Sequence, residues 1–192
     1  MNTPMAITIL LLLSTILFGC SNVMEQTKGD QQQINNTPIV KDDYTLVIGD
    51  HTISLKSWDT EVDLVGMFGQ PKTEKLDIIG EGADIFSGSY LKTIEYDCLT
   101  ITLFSPKDNG KQFWIMSIDL QNTNLKTSKG ITVGSTLSDL KDAYQNIEMV
   151  LDGRTDSNNA AYLISDKEEY KQMIFEVENG VVKAIKLNVE LP

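Results

Sequence analysis

The chain has one histidine, His51, among 192 residues, and two cysteines, Cys20 and Cys98. A histidine-based triad and a multi-histidine metal site are therefore excluded from the outset. With two cysteines in all, loss of either one to other chemistry leaves no internal disulfide. Positive charge is also scarce. Sixteen Lys and Arg face 27 Asp and Glu, giving a formal net charge of −11. A phosphate-binding protein needs a basic face, so a nucleic-acid partner is not expected. An acidic body is also repelled by an anionic membrane surface, so attachment there has to be covalent or apolar. Proline is sparse, and the hydrophobic fraction, 41%, is that of an ordinary globular protein.

The one long apolar run lies at the N-terminus. Residues 1–19 carry no charged side chain, and AITILLLLSTILF spans positions 6–18. A bilayer crossing takes about 20 residues, whereas a run of this length fits the core of a signal peptide. It ends in Leu17-Phe18-Gly19-Cys20. That ending resembles the lipobox of bacterial lipoproteins, with leucine at −3, a small residue at −1 and the acceptor cysteine at +1. Phe18 is bulkier than the usual −2 residue, and only the α-amino group supplies positive charge before the run. The resemblance implies cleavage before Cys20, a diacylglyceryl thioether on its sulfur, and a place on the extracytoplasmic face of a cell membrane. Two acyl chains hold a protein stably where one does not. Residues 20–43 then form a Gln-, Asn- and Asp-rich tether that cannot bury enough surface to order itself; as a coil its ends lie about 25–30 Å apart.

The globular part is expected over residues 44–192. Two short strands flank Gly49-Asp50, a hairpin signal. Thr60-Glu61-Val62-Asp63 matches a helix start, and Gly69 and Pro71 stop the helix. Residues 72–89 read as a loop. Three strands follow at 90–96, 99–104 and 113–120, with Trp114, Met116, Ile118 and Leu120 on one face and Asn109-Gly110 as a tight hairpin turn. The order then repeats. A short strand at 131–133 leads to a second helix start, Thr136-Leu137-Ser138-Asp139, 76 residues after the first. A polar loop over 152–159 precedes strands at 160–164, 170–177 and 182–189. Asn179-Gly180 joins the last two, 70 residues after the first Asn-Gly.

This repetition predicts an α+β fold of two αβββ repeats, residues 44–121 and 122–192. They would share one antiparallel sheet with short helices on its apolar face. The element order resembles the β-lactamase-inhibitor-like fold and the small lipoproteins of the outer-membrane assembly machine. Gly69-Gln70-Pro71 keeps the Gly-x-Pro that follows the helix in those families; Gln145-Asn146 replaces it in the second copy. The resemblance implies a non-catalytic binding module and carries over no contact residues.

Candidate chemistry is thin. His51 sits beside a turn. Cys98 falls at the turn after Asp97, with no base nearby in sequence. Ser138-x-x-Lys141 matches a penicillin-binding pattern but lies on an amphipathic helix that explains both residues. Asp152, Asp156 and Asn158 lack the glycine and glutamate of a calcium hand. No cofactor or metal is expected. Trp58, Tyr90 and Tyr96 are the candidates for an aromatic binding face, and Trp114 for the core. The function so read is that of an extracytoplasmic lipoprotein binding a protein or envelope component, not an enzyme. The alternatives are an envelope hydrolase with an unseen carboxylate site and a structural surface protein without a specific ligand.

Replacing Cys20 tests the anchor directly. The Cys20→Ala chain is expected to leave the membrane fraction for the medium or to persist as unprocessed precursor. Mature-sized protein still held in the membrane would refute the lipidation.

Overall fold

A computed structural model describes residues 42–190, apart from 81, 83, 108 and 122–124. The chain divides into two units, Met1–Pro38 and Ile39–Pro192, and the described residues all belong to the second. The signal-peptide reading, Cys20 and most of the tether lie outside the described residues.

Among the described residues the fold is mostly antiparallel sheet. A first hairpin, β1 (Thr45–Ile48) and β2 (His51–Ser54), leads to a five-residue helix, α1 (Leu64–Phe68). β3 (Thr73–Ile78), β4 (Tyr90–Glu95), β5 (Leu99–Ser105) and β6 (Trp114–Leu120) then run back and forth, followed by a two-residue β7 (Lys126–Thr127). The seven-residue α2 (Leu137–Ala143) precedes β8 (Glu148–Met149), β9 (Ala161–Asp166), β10 (Lys171–Glu178) and β11 (Val181–Val189). The main sheet has eight strands in the order β3-β4-β5-β6-β11-β10-β9-β8. Not every strand joins it: β2-β1-β7 form a separate three-stranded sheet.

The registers show why one face is the core. Ile94, Ile101, Ile118, Leu187, Met173 and Ile164 stand opposite one another across β4-β5-β6-β11-β10-β9. A second row, Leu99, Leu120, Ile185, Phe175, Tyr162 and Met149, runs from β5 to β8. Side chains alternate along a strand, so both rows share one face, the inner one. Leu64 of α1, Leu137 and Leu140 of α2, and Leu46 and Ile53 of the hairpin all belong to the same buried cluster.

The second sheet follows from the size of the helices. Eight strands at about 4.8 Å spacing present a face about 34 Å wide. Helices of five and seven residues reach only about 8 and 10 Å along their axes. Two such helices cannot roof the sheet, and the β1-β2-β7 ribbon supplies the rest of the cover.

Local signals account for the elements that form as expected. Thr136 caps α2 with a full capping box: its hydroxyl accepts from the Asp139 N–H at 3.1 Å, and the Asp139 carboxylate accepts from the Thr136 N–H at 3.1 Å. Asn179 and Gly180 both have positive φ, 52° and 71°, as the two-residue turn between β10 and β11 requires.

Several expectations are corrected. α1 starts at Asp63, whose carboxylate accepts from the Gly66 N–H, and not at Thr60. Residues 72–89 are not a plain loop: they hold β3 and a short 3-10 helix, Asp84–Phe86. Residues 131–133 form no strand, and β7 takes that place in the order. Residues 106–113 make a longer connection than a tight Asn-Gly turn. There the Asn109 side chain accepts from the Lys111 and Gln112 N–H groups.

Two substitutions measure the parts of this account. Leu140 is fully buried, so Leu140→Ala is expected to cost about 2–5 kcal/mol. Thr136→Ala should remove about 1 kcal/mol of capping. Urea midpoints falling in that order, with an unchanged slope, are the expected result. Equal effects would mean that the α2 cap, and not its packing, anchors the helix.

Candidate binding face

The inner face is closed by the roof everywhere but at β3, which leaves the outer face of the sheet as the broad surface. Its middle row is polar throughout: Thr93, Thr102, Ser117, Asn188, Gln172 and Ser165 lie opposite one another. The next row sets Asp119 opposite Lys186. Partial burial raises the Asp119 carboxyl above the usual range, and Lys186 opposes the shift.

One end of this face is aromatic. The register of β5 and β6 slips between Thr102 and Leu103: Thr102 pairs with Ser117 but Leu103 pairs with Ile115, so Met116 is the extra residue of a bulge. The bulge turns Trp114 away from the face shared by Ile118 and Leu120 and sets it opposite Phe104 on the outer face. The expected alignment of Trp114, Met116, Ile118 and Leu120 on one face is thereby corrected. Leu91 lies opposite Phe104 from β4, and an isolated bridge sets Trp58 opposite Trp114 on the other side. The 3-10 helix folds Phe86 edge-on against Phe104 at 6.0 Å, and Phe104 meets Trp114 at 5.3 Å. Phe104 is thus buried on a face that is otherwise wet, while Trp58 remains 38% exposed.

The anticipated trio of Trp58, Tyr90 and Tyr96 is not brought together. Tyr96 is buried in the core against Phe68, at 5.3 Å. Tyr90 stands on the inner-face side, two residues before Lys92 and four before Ile94. Tyr90 ring carbons come within 3.0 Å of where a Cβ on Gly110 would sit, and Gly110 has φ 58°. A side chain there would clash and also strain the backbone. Only Trp58 of the three joins the outer face. Phe86, Phe104 and Trp114 were missed as a group, because nothing in the sequence marks the bulge.

The remaining candidates stand apart. His51 is exposed at the start of β2, and Cys98 is a half-buried free thiol. Ser138 and Lys141 are both exposed on α2, and the Lys141 ammonium lies 5.4 Å from the Tyr162 ring centre. Asp152 pairs with Arg154, which also reaches Glu176 at 3.0 Å; Asp156 accepts from Asn158 and Asn159. Among the described residues no group of three His, Cys, Asp or Glu is placed to hold a metal ion, and no helix is long and apolar enough to cross a membrane.

Where the described chain begins, two ion pairs hold it to the body. Lys171 meets Asp42 at 2.7 Å and Lys129 meets Asp43 at 3.1 Å. Beside them is an open groove of about 540 Å³, with Asp43, Glu148, Asp166 and Glu168 on its walls. Tyr44 and Tyr144 are buried here. Burial, reinforced by Asp166, Asp43 and Asp42, pushes the Tyr44 phenol up to about 12. Burial does the same for Tyr144, also to about 12, against an opposing hydrogen bond from Thr127.

The chain matches no protein-family model, no curated protein and no solved structure.

These two phenols set an alkaline limit. The folded state favours their neutral forms, whereas the unfolded chain ionises near the ordinary value of 10.0. Their contribution to stability is complete below pH 10 and is lost as pH rises from there towards 12. Absorbance titration of the phenolate band should show Tyr44 and Tyr144 ionising late, with Tyr96, which burial also raises, above the ordinary value, and the denaturation midpoint falling over the same interval. All tyrosines ionising together near 10 in folded protein would contradict this.

Proposed function

We propose that this is a lipid-anchored, extracytoplasmic binding protein, built as two copies of an αβββ unit, that holds a protein or envelope component on the outer face of its sheet. The aromatic end of that face carries the reading. Water-facing sheet surfaces are normally polar, as the Thr93–Ser165 row is. An exposed Trp58 beside a half-buried Trp114 is the composition of an interaction hot spot. The polar rows next to it supply hydrogen-bonding groups at the rim.

The repeat is supported by the order of the sheet. α1 precedes β4-β5-β6 and α2 precedes β9-β10-β11, each set of three gaining one further strand, β3 or β8, at the outer edge. The two sets meet at β6-β11 in mirrored order. The anchor rests on Leu17-Phe18-Gly19-Cys20. The non-catalytic reading rests on the scatter of His51, Cys98, Ser138 and Lys141, none of which is paired, among the described residues, with a group that would activate it.

A photocrosslinking amino acid at position 58, introduced in intact cells, is expected to yield a discrete adduct. The same probe at position 51, on the tip of the first hairpin, should yield none. Trp58→Ala should lose the retained component while the protein stays in the membrane fraction. Absence of an adduct at 58, or the same adducts at both positions, would defeat the proposed binding face.

A further inference from the structure

β3 ends the sheet on one side, and all six of its residues are exposed. The other edge, β8, is two residues long. Natural sheets protect their edges by shortness, proline or unpaired charge. β3 has neither shortness nor an internal proline. Its lysine is neutralised within the strand, since Lys75 meets Asp77 at 2.8 Å. Leu76 and Ile78 are 56% and 64% exposed.

The direction of the free backbone groups follows from the strand end. Ile79 donates to the Ser89 carbonyl and accepts from the Gly88 N–H, both on the β4 side. Backbone groups alternate in direction along an antiparallel strand. Those of Glu74, Leu76 and Ile78 therefore point away from β4, into solvent. The Leu76 and Ile78 side chains share the face of Tyr90, which lies opposite Ile78, while Lys75 and Asp77 lie on the other face.

Charge selects the occupant. Antiparallel pairing of β3 with a second β3 must bring outward-pointing groups together, so the allowed registers differ by steps of two residues. Centring on Lys75 sets lysine against lysine. Centring on Asp77 sets aspartate against aspartate. Centring on Leu76 sets Lys75 of each copy opposite Asp77 of the other, and Leu76 against Leu76. Opposite charges directly across a ladder stabilise it and like charges destabilise it. The strand is thus complementary to itself in one register.

We propose that β3 is a self-association edge, pairing antiparallel with β3 of a second copy about a two-fold axis at Leu76. About six backbone hydrogen bonds form across the junction. The two eight-stranded sheets join edge to edge: Leu76 covers Leu76 of the other copy, and Ile78 stands opposite Glu74 and diagonal to Leu76 of that copy. The proposal is independent of what the outer face binds.

The purified full-length chain in detergent provides the test. Residues in a hydrogen-bonded antiparallel pair have Cα atoms about 5.5 Å apart, within the roughly 4.4–6.8 Å that a disulfide spans. Leu76→Cys is therefore expected to convert to a disulfide-linked dimer under mild oxidation. Glu74→Cys, whose own copies lie four residues out of register, should give no disulfide-linked dimer, and neither should the unsubstituted chain. Sedimentation supplies a second reading. Lys75→Asp and Asp77→Lys should each weaken association roughly tenfold, and the double exchange should restore it. A monomeric Leu76→Cys chain, equal crosslinking at 74 and 76, or a double exchange no better than the singles would overturn the proposal.

Discussion

The structure depends on the pairing of β6 with β11. Four residues of each strand are in register, Ser117 to Leu120 against Asn188 to Ile185. Through those four positions both apolar rows cross from one half of the chain to the other: Ile118 meets Leu187 and Leu120 meets Ile185. Without the junction, each set of four strands would have one short helix over an apolar face that it could not cover, because packing, and not propensity, stabilises helices this short. Joined, the rows form one continuous floor. α1, α2 and the β1-β2-β7 ribbon close it from the same side. The stability of every other element is conditional on that floor being intact.

A second constraint, local to β6, gives the sheet its two unlike surfaces. Were β5 and β6 regular, Trp114 would add to the core and Phe104 would lose its aromatic neighbour on the outer face. The bulge at Met116 reverses the side-chain direction for the start of the strand. Two consequences follow together. Ile115 is fully buried opposite Leu103 in the core, and Trp114 is left on the outside, where Phe104 and Phe86 support it. An aromatic side chain held by neighbouring rings keeps few rotamers, so little entropy is lost when a partner covers it.

What could be read in the sequence had burial on one face and solvent on the other. β10 and β11 alternate cleanly because Met173, Phe175 and Val177, then Ile185, Leu187 and Val189, point inward between polar neighbours. α2 was legible because its cap is a self-contained hydrogen-bond pattern over four residues. β3 was not, because its apolar period is only two residues long, Leu76 and Ile78, beside the Gly-containing stretch 80–88 that reads as a loop. α1 was misplaced because Thr60 and Asp63 both offer a capping oxygen within one turn. Glu61 accepts from the Trp58 N–H, and Asp63, not Thr60, turns back onto the helix. The binding face was the least legible part. Trp58 and Trp114 are 56 residues apart and meet because residues 56–59 hydrogen-bond along residues 113–115. Tyr90 and Tyr96, close to each other in sequence, belong to the other side of the sheet.

The roof and the floor also differ in extent, and that difference makes the two edges of the sheet unequal. At the β8 end the roof is complete: Tyr144, following α2, packs on Phe175 at 5.5 Å, and the Lys129 ammonium lies 4.6 Å from the centre of its ring. At the other end the cover stops near Tyr96 and Ile94. Beyond them the inner-face positions of β3 are Glu74, Leu76 and Ile78, all in water. Apolar residues stand there in the period that elsewhere builds the core, on a strand that the roof does not reach. A sheet that ended for reasons of packing alone would place polar residues at those positions, as its outer face does at Thr73, Lys75 and Asp77. The pattern of β3 is that of an interior strand at the edge of the molecule, so its apolar side is matched to cover that the monomer does not supply.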